Sequence, residues 1–597
     1  MLITTATVIL KTLYQAGITH VFVNWGNDHP SFLEELEKQR VENGGKTELE
    51  IVTSPNEMVA LSAAQGYAQV TGNPAAVIVH VDVGTQALAA AVHNVDRSRT
   101  PVLIFAGASP FSGQGELKGS KNEWPMWLQD IPDQAAIVRQ YMRYTAQIQS
   151  GKTAAKVIMR ALQFATSEPK GPVYLWARRE VLAEELDESA LPSNLNISRW
   201  PAIRPNALDP DVVQTISANI LRAEFPLIIV GNTGRNKATV PLLTQLSNDF
   251  GVAITTSIAS AVCVSYSHPY FIGSSFGGKS PGLEIADVIL VIDVEVPWID
   301  ATGNVPKPSA QVFVLDPDPL KQGMGWSHVD ANILCRADPE VSFRQLLQTL
   351  HSLALLDLQN PKQYTARKQI LKDMHNQWIN SLISLEITTR DSIIPSTTDV
   401  FAAVRQAVSE LTPSRGRNTF WINEACSNLP AVWDHIRPDE PGSMVCCGGT
   451  GIGYCLGGAV GAQLGSRASG SEYELTIVVV GDGTFLFGVP SAAYWMARRY
   501  STPYLTVMLN NGGWASPIHS MKGVYPSGHA SSASGDRLTV GFGPDVPDYG
   551  GIAAAAGGAW TKKIQDKNSL KSIIEEGIRV VLNDRRAVVL DCFVDSI

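Results

Sequence analysis

Two glycine-rich segments in the last third of the chain carry residue types that could bind a metal ion. An apolar run leads into residues 481–484 (Gly-Asp-Gly-Thr), and a later apolar run leads into residues 510–513 (Asn-Asn-Gly-Gly). Carboxylate and amide oxygens are the ligands that Mg²⁺ and Ca²⁺ prefer, and both ions can also accept phosphate oxygens. Glycines let backbone N–H groups approach a diphosphate closely. Two ordinary turns between buried strands are the alternative interpretation.

Three other segments offer groups that could take part in chemistry. Glu57 directly precedes a helix of small residues predicted over Met58–Val70. Residues 447–454 (Cys-Gly-Gly-Thr-Gly-Ile-Gly-Tyr) form a glycine-rich turn, and residues 423–427 (Asn-Glu-Ala-Cys-Ser) offer a carboxylate and a hydroxyl. Each has an ordinary structural explanation, since the helix dipole favours a carboxylate at a helix N-terminus and glycine-rich turns are common.

In this order along the chain, the segments resemble the thiamine-diphosphate-dependent enzymes of the decarboxylase and acetolactate-synthase branch. The resemblance implies that Asp482, Asn511 and the carbonyl of Gly513 bind the metal. It implies that Glu57 activates the aminopyrimidine ring and that Ile452 is a wedge between the two cofactor rings. The implied cofactor-binding residues are Glu57, Glu424, Ser427, Thr450, Ile452, Gly481, Asp482, Gly483, Thr484, Asn511 and Gly513.

The residues that would handle substrate protons are also indicated by resemblance. Val79–Thr85 is similar to the segment of benzoylformate decarboxylase that carries a catalytic histidine, which assigns this role to His80. Leu128–Asp130 is similar to acetolactate synthases and indicates that Gln129 faces the active site. A strand-end histidine paired with backbone is the alternative for His80. Asn27 or Asp28 could reach the reacting carbonyl or simply form a turn.

The elements that must position these residues alternate between short apolar runs and helical patterns. This alternation predicts an α/β protein of three doubly wound parallel-sheet domains, whose ligands bind at the carboxyl ends of the strands. The predicted domains are 1–185 (pyrimidine-binding), 205–350 (middle) and 393–597 (diphosphate-binding), with a linker at 186–208 and a helical connector at 350–390. The predicted strands are 21–23, 75–81, 101–106, 171–176, 226–230, 252–256, 288–294, 311–315, 419–422, 475–480, 504–509 and 587–593.

Composition excludes several classes of protein. The 597 residues are 45% hydrophobic and 17% charged, which indicates a folded globular chain and not a disordered one. The net charge of −9, without a basic run, gives no reason to expect nucleic-acid binding. No apolar stretch is long enough to predict a membrane span. Seven cysteines without a pairing pattern and an N-terminus without a basic leader favour the cytoplasm, and an organellar location stays open.

The resemblance implies a lyase or carboligase that acts on 2-keto acids or aldehydes with thiamine diphosphate and Mg²⁺, for which Ca²⁺ could substitute. An acetolactate-synthase-like transferase and a 2-hydroxyacyl-CoA lyase are the alternative activities, and a non-catalytic relative is the alternative of another class. FAD is possible in the middle domain, but the short turn at 231–234 (Gly-Asn-Thr-Gly) does not support it. A homodimer or homotetramer is implied, with Glu57 of one subunit and Asp482 of another in each active site.

Overall fold

The computed structural model describes residues 3–190, 196–327, 329–356, 361–387, 392–543 and 545–595. Within these ranges three six-stranded sheets are present, and every pairing inside them is parallel. A two-stranded antiparallel ribbon accompanies the first sheet. Helices flank all three sheets, so the predicted α/β architecture of three parallel sheets is confirmed.

The first sheet has the strand order β3-β2-β4-β5-β7-β6. Its central strands are apolar on both faces, as expected for a sheet covered by helices on each side. The elements are β1 (Ile3–Thr4), α1 (Thr5–Gln15), β2 (His20–Val23), α2 (Pro30–Glu42), β3 (Glu50–Thr53), α3 (Glu57–Thr71), β4 (Ala75–Val79), α4 (Val81–Arg97), β5 (Val102–Ala108), α5 (Pro125–Leu128), β6 (Tyr144–Gln147), α6 (Gly151–Thr166), β7 (Val173–Arg178), α7 (Arg179–Leu182) and β8 (Glu185–Leu186).

The middle sheet has the order β11-β10-β9-β12-β13-β14, which is the strand order of a dinucleotide-binding fold. Residues 191–195 of the predicted linker and 357–360 and 388–390 of the predicted connector lie outside the described residues. The elements are α8 (Pro210–Arg222), β9 (Pro226–Val230), α9 (Thr239–Phe250), β10 (Ala253–Ser257), β11 (Phe271–Ser275), β12 (Val288–Ile292), β13 (Gln311–Asp316), β14 (Ile333–Arg336), α10 (Pro339–Leu356) and the connector helix α11 (Pro361–Ile387).

The third sheet has the order β16-β15-β17-β18-β20-β19. Its strands β17 and β18 are neighbours, so the two segments of the predicted metal site meet at one edge of the sheet. The elements are α12 (Thr397–Leu411), β15 (Thr419–Glu424), α13 (Leu429–Ile436), β16 (Met444–Cys446), α14 (Cys455–Ala468), β17 (Leu475–Gly481), α15 (Asp482–Phe487), α16 (Pro490–Arg499), β18 (Leu505–Asn510), α17 (Ala515–Val524), α18 (Tyr549–Gly557), β19 (Trp560–Ile564), α19 (Lys567–Asp584) and β20 (Val588–Phe593).

Helices α3 and α14 cross in close contact and join the first sheet's domain to the third. Small residues make this possible: a Cβ on Gly66 would lie 2.1 Å from the carbonyl oxygen of Gly458, and one on Gly461 would lie 1.7 Å from that of Ala63. Asn56 caps the N-terminus of α3 through a bond from the Val59 N–H, and Gly72 ends the helix in the left-handed conformation. The helix that begins at Glu57 is therefore fixed at both ends and along its length.

None of the helices in the described ranges has both the length and the apolarity needed to cross a bilayer.

Candidate active site

Three oxygen-bearing groups converge beyond the carboxyl ends of β17 and β18. Asp482 follows β17 and is buried, while Asn511 and Gly513 follow β18. One terminal atom of the Asn511 amide lies 3.2 Å from Oδ1 of Asp482 and 2.9 Å from the carbonyl oxygen of Gly513. Burial raises the pKa of Asp482 to about 6, although backbone N–H groups oppose the rise. A nearby positive charge would therefore stabilise the ionised form of this buried carboxylate.

The Asn511 amide can satisfy these contacts in two ways. Its nitrogen can donate to both oxygens, or its oxygen can face both oxygens around a cation. Neighbouring ligands of an octahedral Mg²⁺ at about 2.1 Å are about 3 Å apart, which matches the observed separations. The spacing of these atoms thus fits a divalent metal.

The backbone fixes the orientation of the Asp482 carboxylate. Oδ1 accepts a hydrogen bond from the N–H of Gly483 at 2.7 Å, and Oδ2 accepts one from the N–H of Gly512 at 2.8 Å. The ring of Trp514 covers Gly483 so closely that a Cβ there would lie 2.4 Å from it. Glycine at 483 is therefore required for this packing.

Glu424 holds the glycine-rich segment in place. It is fully buried, and its carboxylate accepts hydrogen bonds from the N–H groups of Tyr454 and Cys455, at 3.0 and 2.8 Å. Burial raises its pKa to about 7 against these bonds. Glu424 thus caps the N-terminus of α14 and fixes the glycine-rich segment at its end, at Tyr454. Direct contact of Glu424 with a cofactor stays a prediction.

Two hydroxyl-bearing residues of the predicted set flank the metal segments. Ser427 is exposed and lines a cavity of about 370 Å³ together with Asn428 and Asn511. The Thr484 hydroxyl lies in the first turn of α15, 3.2 Å from the thiol sulfur of Cys426. Sequence reasoning missed the two basic side chains in the wall of the same cavity, His519 and Lys522 on α17, since their spacing is equally typical of a solvated helix face.

Thr450 and Ile452 lie in a segment that packs against the first domain of the same chain. Gly451 exchanges two hydrogen bonds with the Asn94 side chain, at 3.0 and 2.8 Å. The Thr450 hydroxyl lies 3.2 Å from Nε2 of His93. His93 and Asn94 lie near the C-terminal end of α4, and this end of the helix therefore supports the segment.

Glu57, His80 and Gln129 form a second cluster at the carboxyl edge of the first sheet. Nε2 of His80 lies 3.0 Å from the amide nitrogen of Gln129. Glu57 reaches the first turn of α4, where a Cβ on Gly84 would lie 3.4 Å from its Oε1. The structure thus brings together the three residues proposed for substrate and cofactor protons.

The two clusters of one chain lie at different levels of α4. His80 is the residue before α4, and Gly451 contacts Asn94 near the other end of that helix. At 1.5 Å per residue, His80 lies about 21 Å along the helix axis from Asn94. Glu57, which reaches Gly84, lies about 15 Å along the axis from Asn94.

The carboxyl edge of the middle sheet is occupied by ion pairs. Arg99 from the first domain is buried there and contacts Asp293 at 3.0 Å, Glu295 at 2.8 Å and Asp316 at 3.4 Å. Arg235 also binds Asp293, at 2.8 Å. These acids are already paired with cations. FAD in the middle domain, which the sequence left possible without supporting it, stays untested.

Comparison with known proteins identifies the class. The chain matches three sequence models of thiamine pyrophosphate enzymes: the N-terminal TPP binding domain over residues 3–137, the central domain over 213–345 and the C-terminal TPP binding domain over 426–592. The chain therefore belongs to the thiamine-pyrophosphate-dependent enzymes, and the predicted family is confirmed.

The relatives place the chain in the decarboxylase and acetolactate-synthase branch. It is 23% identical to benzoylformate decarboxylase of Pseudomonas aeruginosa over 526 residues, which cover 84% of this chain and 85% of the relative. It is 22% identical to acetolactate synthase of Arthrospira platensis over 522 residues, with 85% and 82% covered. The solved structure of benzoylformate decarboxylase from Polynucleobacter necessarius shares the fold, with a TM-score of 0.77 at 17% identity and 99% of each chain covered.

Proposed function

We propose that this chain is a thiamine-diphosphate- and Mg²⁺-dependent lyase or carboligase that acts on a 2-keto acid. The observation that carries the proposal is the convergence of the Asp482, Asn511 and Gly513 oxygens at spacings suited to one divalent ion. Ca²⁺ has the same preference for oxygen ligands and could substitute.

Different residues of the chain would bind the metal, the diphosphate and the rings of the cofactor. Asp482, Asn511 and Gly513 would hold the metal, and Gly481–Thr484 with Ser427 would hold the diphosphate. Thr450 and Ile452 would fix the rings, on a segment that Glu424 and Asn94 keep in position. When bound, thiamine diphosphate supplies a thiazolium carbanion that adds to the substrate carbonyl and accepts the electrons released with CO₂.

The active site would be shared between two copies of the chain. Along α4, His80 lies about 21 Å and Glu57 about 15 Å from Asn94, which contacts the segment of their own chain that would hold the cofactor rings. The short helix α5, which ends just before Gln129, and the residue that precedes it leave Trp124, Trp127 and Leu128 more than half exposed, which is unusual for a free surface. Both features support a homodimer, or a dimer of dimers, in which Glu57 of one copy faces Asp482 of another.

Product analysis would test the proposal and separate the alternatives. The protein is incubated with thiamine diphosphate, Mg²⁺ and either pyruvate or benzoylformate, with and without an acceptor aldehyde. Release of CO₂ and an aldehyde supports a decarboxylase, acetolactate from pyruvate supports a synthase-like transferase, and cleavage of a 2-hydroxyacyl-CoA supports that lyase. An absence of turnover with every substrate would favour a non-catalytic role and overturn the proposal.

A further inference from the structure

A buried carboxylate lies behind His80. Asp28, on the loop after β2, has a 1% exposed side chain, and its Oδ1 lies 2.5 Å from Nδ1 of His80. Its Oδ2 accepts a hydrogen bond from the N–H of Val81 at 3.1 Å. The sequence left open whether Asp28 reaches a substrate carbonyl. Both oxygens are engaged inside the domain, so neither is free for a substrate carbonyl.

Two glycines provide the space for this pair. A Cβ on Gly26 would lie 1.9 Å from Nδ1 of His80, and a Cβ on Gly107 would lie 1.7 Å from Oδ2 of Asp28. Any other residue at either position would displace a member of the pair. The backbone of β5 and of the loop after β2 is therefore shaped around the contact.

The charges around His80 favour its protonated form. Asp28 faces it from the loop after β2, Asp82 from α4 and Glu57 from α3. Burial works against the charged ring, but the bond with Asp28 and these three carboxylates raise the pKa of His80 above its ordinary value. Burial likewise works against ionisation of Asp28, yet the bond with His80, the charge of that ring and the Val81 N–H hold the pKa of Asp28 below the usual range.

The neighbouring His29 does not compete for Asp28. Its Nδ1 lies 3.3 Å from Oδ1 of Asp28 but accepts the N–H of Gly26 at 3.0 Å, so it has no proton to offer there. Burial lowers the pKa of His29 and keeps the ring neutral. The Asp28 carboxylate therefore bonds to His80 and not to His29.

Gln129 faces the other nitrogen of His80. Its amide nitrogen lies 3.0 Å from Nε2, while its buried Oε1 has no hydrogen-bond partner. With neutral His80 the amide donates to Nε2. With protonated His80 a half-turn of the amide lets Oε1 accept from Nε2–H, so one side chain can serve both protonation states.

We propose that Asp28 is a positioning residue that keeps the proton on Nδ1 of His80, and that Gln129 turns its amide when Nε2 is protonated. The use of the Nε2 proton rests on the proposed function. In that reaction His80 gives its Nε2 proton to the substrate carbonyl oxygen and keeps its Nδ1–H toward Asp28. It regains a proton on Nε2 from water, which reaches the 16% exposed side chain. Asp28 remains ionised throughout.

The variant Asp28→Asn tests the proposal directly. The Val81 N–H needs an acceptor, so the new amide would place its oxygen there and turn its NH₂ toward Nδ1 of His80. Neutral His80 would then carry its proton on Nε2. The expected readouts, from ring ¹H–¹³C and ¹⁵N spectra of histidine-labelled protein without cofactor, are this change of tautomer and a pKa of His80 lowered by about one unit or more. His80→Gln assigns the signal.

Asp82→Asn is the matched control, since it removes an equally buried charge that does not bond to His80. It should leave the proton on Nδ1 and lower the pKa less than Asp28→Asn does. Should Asp28→Asn fail to fold, wild-type His80 gives the test, because the neutral ring must carry its proton on Nδ1. Gln129→Leu tests the amide and should lower the pKa of His80 without changing the tautomer. An Nε2–H tautomer in wild type, an unchanged tautomer in folded Asp28→Asn, or an unchanged pKa in Gln129→Leu would overturn the proposal. Because no cofactor is present, each of these results leaves the proposed function standing.

Discussion

Among the proposed roles, the activation of the aminopyrimidine ring by Glu57 matters most for catalysis. It is half-buried at the start of α3, within reach of the first turn of α4. We expect Glu57→Gln to lower kcat by roughly 10²–10⁴-fold, because an amide cannot exchange a proton with the cofactor ring. Binding of thiamine diphosphate should stay within a few-fold of wild type, since the metal and diphosphate contacts come from other residues. Steady-state kinetics and calorimetry measure the two effects.

Glu50→Gln is the control for this change, because Glu50 is an exposed glutamate on the same sheet. It should leave both kcat and cofactor affinity unchanged. Turnover by Glu57→Gln at the wild-type rate would reject the role assigned to Glu57.

Residues that follow long apolar strands were predictable from sequence, and residues that depend on distant partners were not. Asp482 and Asn511 stand directly beyond such strands, so their meeting followed from the parallel sheet. The bond between Asp28 and His80 and the two bonds that the Glu424 carboxylate accepts join residues far apart in sequence. Their residue types fit turns and caps equally well, so only the fold could show these pairs.

At the scale of elements, the crossing of α3 and α14 determines how the first and third sheets are joined. We expect Gly461→Ala to destabilise the protein by roughly 1–3 kcal/mol, because its methyl group would overlap the carbonyl of Ala63. The effect should exceed the gain in helix propensity that alanine normally brings. Thermal unfolding monitored by circular dichroism measures the change.

Gly523→Ala serves as the comparison for that prediction. Gly523 lies in α17, and a Cβ there would meet nothing within 4 Å. We expect no loss of stability, or a gain of up to about 1 kcal/mol. Equal melting temperatures for Gly461→Ala and wild type would show that the crossing is not tightly packed.

The sequence predicted the inner strands of each sheet and missed the edges. The four inner strands of each sheet are mostly apolar and almost wholly buried, which is the pattern of strands covered on both faces. The unpredicted strands are the edge strands β3, β6, β11, β14, β16 and β19. Most are short or polar, since an edge strand has a neighbour on one side only, and apolar patterning alone does not detect them.

At the scale of the whole molecule, the separation of the two clusters along α4 predicts complementation between inactive chains. Glu57→Gln and Asp482→Asn should each be inactive as pure proteins. After the two are unfolded together, refolded and supplied with cofactor, about half of the dimers should contain one copy of each variant. Each mixed dimer has one intact site, so we expect about a quarter of wild-type activity.

Mixing the same variants without subunit exchange is the control and should restore nothing. If sites were complete within one chain, the refolded mixture would stay inactive, and the shared-site arrangement would be wrong.

The most direct measurement is the calorimetric titration of thiamine diphosphate into the purified protein, with Mg²⁺ present and after chelation. We expect binding that needs the metal and that weakens by roughly tenfold or more in Asp482→Asn, since a carboxylate ligand is lost. The exposed Asp584→Asn should bind as wild type does. Affinity that is indifferent both to metal removal and to Asp482→Asn would contradict the assignment of this site.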